Sequence, residues 1–154
     1  MNKTVGDIMT PNPITVKAEI PLKNAIEIIA QNRIGGLPVI NAENKLIGIL
    51  SETDLMWQET GISPPAYIML LDSVIYLQNP GQYERDLHKV LGQTVGEVMT
   101  KNPISIQPEK SVKEAAKLLN DKKINRLPVL NSAGEIIGII SKGDIIRAMA
   151  GNLE

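Results

Sequence analysis

Apolar and polar positions follow the same order twice along this chain, 90 residues apart. Leu46-Ile47-Gly48-Ile49-Leu50 is an apolar strand that passes through a glycine into Ser51-Glu52-Thr53-Asp54 and then an apolar helix. Ile136-Ile137-Gly138-Ile139-Ile140 runs the same way into Ser141-Lys142-Gly143-Asp144. The offset holds without a gap from Val5/Val95 to Met56/Ile146, and about 20 of those 52 aligned pairs are identical. The chain is therefore a duplication, and one repeat predicts the other.

Upstream, each repeat reads in the same order. Thr4-Val5-Gly6-Asp7 and Thr94-Val95-Gly96-Glu97 place an acid three residues after a threonine, a capping-box start, and Pro11 with Pro13, or Pro103, ends each short helix. Ile14-Thr15-Val16 and Ile104-Ser105-Ile106 alternate with the strand period and carry β-branched residues. Leu22, Ala25, Ile26 and Ile29, and then Val112, Ala115, Ala116 and Leu119, form apolar stripes at helical spacing. Pro21 in a first-turn position, and Ser111 boxed with Glu114, mark where these helices begin. Leu37-Pro38-Val39-Ile40 and Leu127-Pro128-Val129-Leu130 predict strands with the proline near the start, where a missing N–H does little harm. Turns at 41–45 and 131–135 lead from them into the glycine-bearing strand as hairpins.

Each repeat thus predicts β-α-β-β-α, with both helices on one face of a small three-stranded sheet. Roughly 50 residues bury too little surface alone. The expectation is one α+β body in which two repeats, 1–56 and 95–154, pack sheet to sheet about a pseudo-twofold axis, with a helical insert, 57–94, between them.

The insert has no counterpart elsewhere in the chain. Ser63-Pro64-Pro65 opens a helix over 66–77 that is apolar nearly all round, Asn79-Pro80-Gly81 breaks it, and a charged helix follows over 82–91. All four aromatic residues, Trp57, Tyr67, Tyr76 and Tyr83, fall here. The segment reads either as a cover for the module's own surface or as a contact surface, since aromatic and Met-rich patches are enriched where proteins meet. Contact within a homodimer is favoured over an outside partner.

Composition narrows the function classes. Sixteen Lys+Arg against 17 Asp+Glu give a formal net charge of −1, with no basic stripe to bind nucleic acid or an anionic membrane. No apolar run reaches the roughly 18 residues of a membrane span, and nothing at Met1-Asn2-Lys3-Thr4 resembles a signal core, so a cytoplasmic protein is expected. Zero cysteines exclude disulfides, thiolate metal sites and cysteine nucleophiles. The single histidine, His88, cannot build a two-histidine metal site, and neither Gly-x-Ser-x-Gly nor a Walker loop occurs. The chain reads as a non-enzyme with no catalytic cofactor.

Candidate chemistry sits at the two Ser-x-x-Asp corners. Ser51 and Ser141 stand where a strand becomes a helix, so backbone N–H groups and the positive end of the helix dipole offer an anion site. Asp54 and Asp144, one turn in, can accept from two adjacent hydroxyls, as a carboxylate reads a ribose. The same spacing is also a capping arrangement in which the aspartate satisfies the serine N–H and nothing binds.

Met9-Thr10-x-x-Pro13, Ile34-x-x-Leu37-Pro38-Val39 and Gly48-x-x-Ser51-x-x-Asp54, with their counterparts 90 residues on, resemble a tandem pair of cystathionine-β-synthase (CBS) domains, the Bateman module, over about two thirds of the chain. The resemblance implies a ligand slot in which the serine meets phosphate, the aspartate holds ribose and adenine lies between the repeats. It further implies crosswise assembly. Ser51, Thr53 and Asp54 would meet Ile104, Ile106, Ile124, Asn125 and Arg126, whose guanidinium suits a phosphate. Ser141, Lys142, Gly143 and Asp144 would meet Ile14, Val16, Ile34, Gly35 and Gly36, a pocket without that arginine. The implied function is a regulatory module, homodimeric, binding AMP, ADP, ATP or S-adenosylmethionine and modulating an unidentified partner protein. The alternative is a constitutive interaction module whose corners only cap helices.

Overall fold

The computed structural model describes residues 2–57 and 93–152. The helices predicted over 66–77 and 82–91, His88 and the insert's aromatic side chains lie outside the described residues. The architecture is α+β. In chain order the elements are α1 (Val5–Ile8), β1 (Thr10–Pro11), β2 (Val16–Lys17), α2 (Leu22–Asn32), β3 (Gly36–Ile40), β4 (Leu46–Ser51), α3 (Glu52–Trp57), α4 (Val95–Val98), β5 (Thr100–Lys101), α5 (Val112–Lys122), β6 (Arg126–Leu130), β7 (Ile136–Ser141) and α6 (Lys142–Asn152).

Two compact units result, and they do not follow the repeat boundaries. One comprises Met1–Thr15, Ile40–Ile47 and Asn102–Glu154; the other comprises Val16–Val39 and Gly48–Lys101. We call them the Ser141 unit and the Ser51 unit. In each, the opening segment of one repeat has joined the body of the other.

In the Ser141 unit, β1, β7 and β6 form an antiparallel sheet, and Ile106 bridges Val129 in parallel. Val5, near the chain's start, is fully buried in a core with Ile106, Val112, Ala115, Leu119, Leu127, Val129, Ile140 and Ile145. Backbone bonds hold it there: Val5 N–H donates to Lys110 O at 2.8 Å and Gly6 N–H to Pro108 O at 2.9 Å. Helix α5 shows the capping box read from the sequence, with Ser111 N–H on Glu114 at 2.9 Å and Glu114 N–H on Ser111 Oγ at 3.0 Å. Its predicted stripe, Val112, Ala115 and Leu119, is the face it buries.

The Ser51 unit holds the sheet β2-β3-β4-β5. Here the second repeat's opening is the guest. Val95, fully buried, lies at the start of α4, and its N–H donates to Ile20 O at 3.0 Å while Gly96 N–H donates to Ala18 O at 2.8 Å. Leu22, Ala25 and Ile29 form the buried face of α2.

Three local expectations change. The sheets gain β1 and β5, two-residue edge strands too short to show a period of two. The strands expected at 14–16 and 104–106 shrink to β2 and to the Ile106 bridge, and Ile14 and Ile104 are exposed. Pro38 and Pro128 lie in the middle of β3 and β6 rather than near the start, and both are fully buried. Pro128 is tolerated because the ladder with Ile106 runs from Ile106 N–H to Pro128 O at 3.0 Å and from Leu130 N–H to Ile106 O at 2.9 Å, and so asks for no N–H from the proline. Among the described residues, no helix is long and apolar enough to cross a membrane.

Candidate functional site

Each Ser-x-x-Asp corner is a closed hydrogen-bond cluster. At the Ser51 corner, Ser51 N–H and Oγ–H both donate to Asp54 Oδ2, at 2.9 and 3.1 Å, and Asp54 N–H returns to Ser51 Oγ at 3.3 Å. The Ser141 corner repeats this, with Ser141 N–H and Oγ–H on Asp144 Oδ2 at 2.9 and 3.1 Å and Asp144 N–H on Ser141 Oγ at 3.2 Å. The aspartates are the buried charged residues of the described chain, 8% and 7% exposed. Burying a carboxylate demands such partners, and these convert the strand end into a helix start.

A threonine completes each cluster. Thr100 Oγ1 donates to Asp54 Oδ1 at 2.5 Å, and Thr10 Oγ1 to Asp144 Oδ1 at 3.2 Å. Both come from the exchanged edge strands. These strands dock where the glycine-bearing strand lacks a side chain: Gly138 faces Pro11 across the sheet and Gly48 faces Lys101. A Cβ on Gly138 would sit 3.0 Å from Met9 Cγ and 3.0 Å from Thr10 O, and one on Gly48 equally close to Met99 Cγ and Thr100 O. The glycine is thus needed for close approach of the Met-Thr segment, and that approach delivers the hydroxyl. Sequence reasoning assigned Thr10 and Thr100 no role, although the twofold Met-Thr-x-Asn-Pro at 9–13 and 99–103 was the signal.

The Ser141 corner carries one more group. Arg147 Nη2 lies 2.6 Å from Asp144 Oδ1. Its counterpart 90 residues earlier is Trp57, so the pair belongs to one repeat alone.

The predicted pocket residues fall around these corners. Gly35 O accepts the Glu52 N–H at 3.1 Å, and Asn125 O accepts the Lys142 N–H at 3.1 Å, so each Ile-x-x-Leu-Pro loop touches the corner of its own repeat. Arg126 pairs with Ser141 in the β6–β7 register. The guanidinium expected to serve Ser51 therefore belongs to a residue set directly across the ladder from Ser141, because the 131–135 turn fixes that register. Thr53, Asn125 and Lys142 are exposed, Ile34, Gly35, Ile124 and Gly143 half-buried, and Val16, Gly36 and Ile106 buried. Ser51, Thr53, Asp54, Val16, Ile34, Gly35 and Gly36 lie in the Ser51 unit; Ile14, Ile104, Ile106, Ile124, Asn125, Arg126 and the Ser141 corner lie in the other. A separate open cleft of about 690 Å³, rimmed by Lys110, Glu114, Lys117 and Asp121, includes Ile106 but no residue of the corner.

Known proteins share this architecture. The CBS domain model matches residues 5–58 and 95–151. The chloroplastic CBS domain-containing protein CBSX1 of Arabidopsis thaliana is 34% identical over 151 residues, covering 94% of this chain and 63% of the relative. The chain thus spans less than two thirds of the length of the plant relatives it matches. The uncharacterized protein MJ1426 of Methanocaldococcus jannaschii is 32% identical over 152 residues, 94% of this chain and 90% of that protein. The crystal structure of CBSX2 in complex with AMP superposes with a TM-score of 0.76 at 29% identity, covering 99% of each chain. With two copies of the domain on the glycine-serine-aspartate corners, this chain belongs to the CBS domain family.

Proposed function

We propose that the chain is a non-enzymatic regulatory module that binds an adenosine-containing ligand, AMP, ADP, ATP or S-adenosylmethionine, at its Ser-x-x-Asp corners and thereby alters its association with a partner protein. The observation that carries this is the likeness, over 99% of both chains, to a CBS pair solved with AMP. The corners supply fitting chemistry: a helix N-terminus for phosphate and a carboxylate for ribose, with the Arg126 guanidinium as the phosphate partner that crosswise assembly implies. Ile14 and Ile104, apolar and exposed, suit an adenine face. The crosswise sharing of residues between repeats stays part of this proposal. The mechanism is population shift: the ligand favours one arrangement only by its difference in affinity between arrangements, and the partner reads that difference.

In the same reading the protein is a cytoplasmic homodimer. Exposed Ile146 and Met149 on α6, and Met56 on α3, support a second copy as the cover, as does the apolar 66–77 segment of the sequence. Sedimentation at micromolar concentration gives a dimer, and a stable monomer refutes this part.

A second reading, a constitutive interaction module, is favoured by one observation: both aspartates already spend most of their acceptor capacity on the chain itself. A thermal-shift panel separates the two. A ligand at one hundred times Kd adds about 2.7 kcal/mol, a rise of roughly 5–10 °C for a chain of this size, whereas GMP adds little. Asp54→Asn and Asp144→Asn should each remove one corner's share. A double variant that keeps the full shift overturns the ribose assignment, and no shift with any adenosine ligand favours the constitutive module.

A further inference from the structure

The two corners are chemically unequal, and the inequality rests on Arg147. A carboxylate offers about four acceptor positions. At Asp144 all are engaged: Oδ2 by Ser141 N–H and Oγ–H, Oδ1 by Thr10 at 3.2 Å and Arg147 at 2.6 Å. At Asp54, among the described residues, Oδ1 receives only Thr100. The Arg147 guanidinium also lies across the first turn of α6, its Nη1 3.3 Å from where a Cβ on Gly143 would stand. Gly143 thus makes room for it, and the first repeat has Thr53 and Trp57 at these two positions. The arginine side chain is 72% exposed while that of Asp144 is 6% exposed, so the guanidinium is a cover that can swing away without opening the core.

Building on the proposed function, we infer that Arg147 is the selectivity residue of the Ser141 corner, setting its preference for a phosphorylated nucleoside over an uncharged one. A ribose hydroxyl approaching Asp144 Oδ1 from solvent displaces the guanidinium, the exposed one of that oxygen's two donors. The released cation then needs an anion beside the α6 N-terminus. A nucleotide brings one on the same molecule and gains an ion pair in exchange for the one broken; adenosine breaks the pair and returns nothing. Lys142, exposed at the first position of α6, is a further cation of this corner and adds phosphate attraction. The Ser51 corner, with no arginine at position 57, discriminates less.

The test is an NMR titration of the full-length, 15N-labelled chain with AMP and with adenosine. The Ser51 and Asp54 amides report one corner, and the Ser141 and Asp144 amides report the other. In the parent, the AMP-to-adenosine affinity ratio should be larger at Ser141 than at Ser51. Arg147→Ala should tighten adenosine at Ser141 about two- to fivefold, the fold-change of one exposed ion pair, and bring its ratio down to that of Ser51, whose own values stay unchanged. Arg147→Lys, a cation without the planar fork, should fall between. Adenosine weakened at Ser141 by Arg147→Ala, or an unchanged ratio, overturns the role of Arg147 while leaving the proposed function standing. Amides that respond at neither corner to either ligand, in parent and variants alike, overturn the proposed function and this inference with it.

Discussion

Removing the Thr100 hydroxyl should cost this protein more than removing the Thr10 hydroxyl, although the two residues occupy equivalent places in the duplication. Thr100 Oγ1 donates at 2.5 Å to a carboxylate 8% exposed, and among the described residues it is the sole donor to Asp54 Oδ1. Thr100→Val keeps the shape and deletes the donor, so a nearly buried charge loses a hydrogen bond of the kind that contributes about 1.5–3 kcal/mol. For a chain of this length that is a fall of roughly 3–12 °C in Tm. Thr10 reaches Asp144 Oδ1 at 3.2 Å, and Arg147 donates to the same oxygen at 2.6 Å, so the charge keeps a close partner when the hydroxyl goes. Thr10→Val should therefore sit near the ordinary value for a hydrogen bond, about 0.5–1.5 kcal/mol. Urea unfolding of both variants, with m-values checked for constancy, measures the difference. The double variant Thr10→Val/Arg147→Ala should cost more than its parts added, because the two donors substitute for each other on one oxygen. Equal losses for Thr10→Val and Thr100→Val, or additivity in the double variant, would refute this account of the corners.

Two further outcomes follow from the same geometry. Gly138→Ala should destabilise by about 1–3 kcal/mol, as overpacking does, because its Cβ would meet the Met9 side chain and stand 3.0 Å from Thr10 O; adding Met9→Ala should recover only part, since the carbonyl contact persists, and a neutral Gly138→Ala in thermal unfolding would sink the close-approach argument. Acid should loosen the helix starts: the Thr4 N–H holds the Asp7 carboxyl below its ordinary value, and the Ser111 N–H does the same for Glu114. A depressed carboxylate contributes stability above its unfolded pKa and loses it as pH falls through the folded one, so Asp7→Asn and Glu114→Gln should flatten the decline of stability below about pH 4.

What could be read from the chain was what is local. The Ser111/Glu114 box, the stripes of α2 and α5 and the Asn-led turns each depend on residues within a few positions of one another, and each is where the spacing put it. The exchange of opening segments was not legible, because the periods of helix and strand say nothing about which of two like bodies a segment packs on. Val5 and Val95 are identical residues in identical local contexts; only the tertiary fold sends each to the other repeat's core. The place of Arg126 opposite Ser141 is legible in the same local way, since it follows from a hairpin closed by the 131–135 turn.

The corner posed two readings, a helix cap or a ribose site, and under the proposed function they become successive states of one group rather than rivals. The cap is fully formed, so a ligand must exchange bonds; at Asp144 every acceptor position is already taken. At Asp54, where the described residues leave one position on Oδ1, a ribose with two hydroxyls must still share or displace an existing donor. Each exchange nets about the difference between two hydrogen bonds, near zero, whereas burying the adenine removes apolar surface from water and a phosphate gains charged partners. Affinity at these corners should therefore come from the base and the phosphate, with the aspartate choosing orientation. The bonds most open to exchange are those on Oδ1, which the exchanged strands make through Thr10 and Thr100. A ligand that competes there acts on the segments that each repeat lends to the other, and its differential affinity for the two states of those bonds is the quantity that a regulatory reading requires.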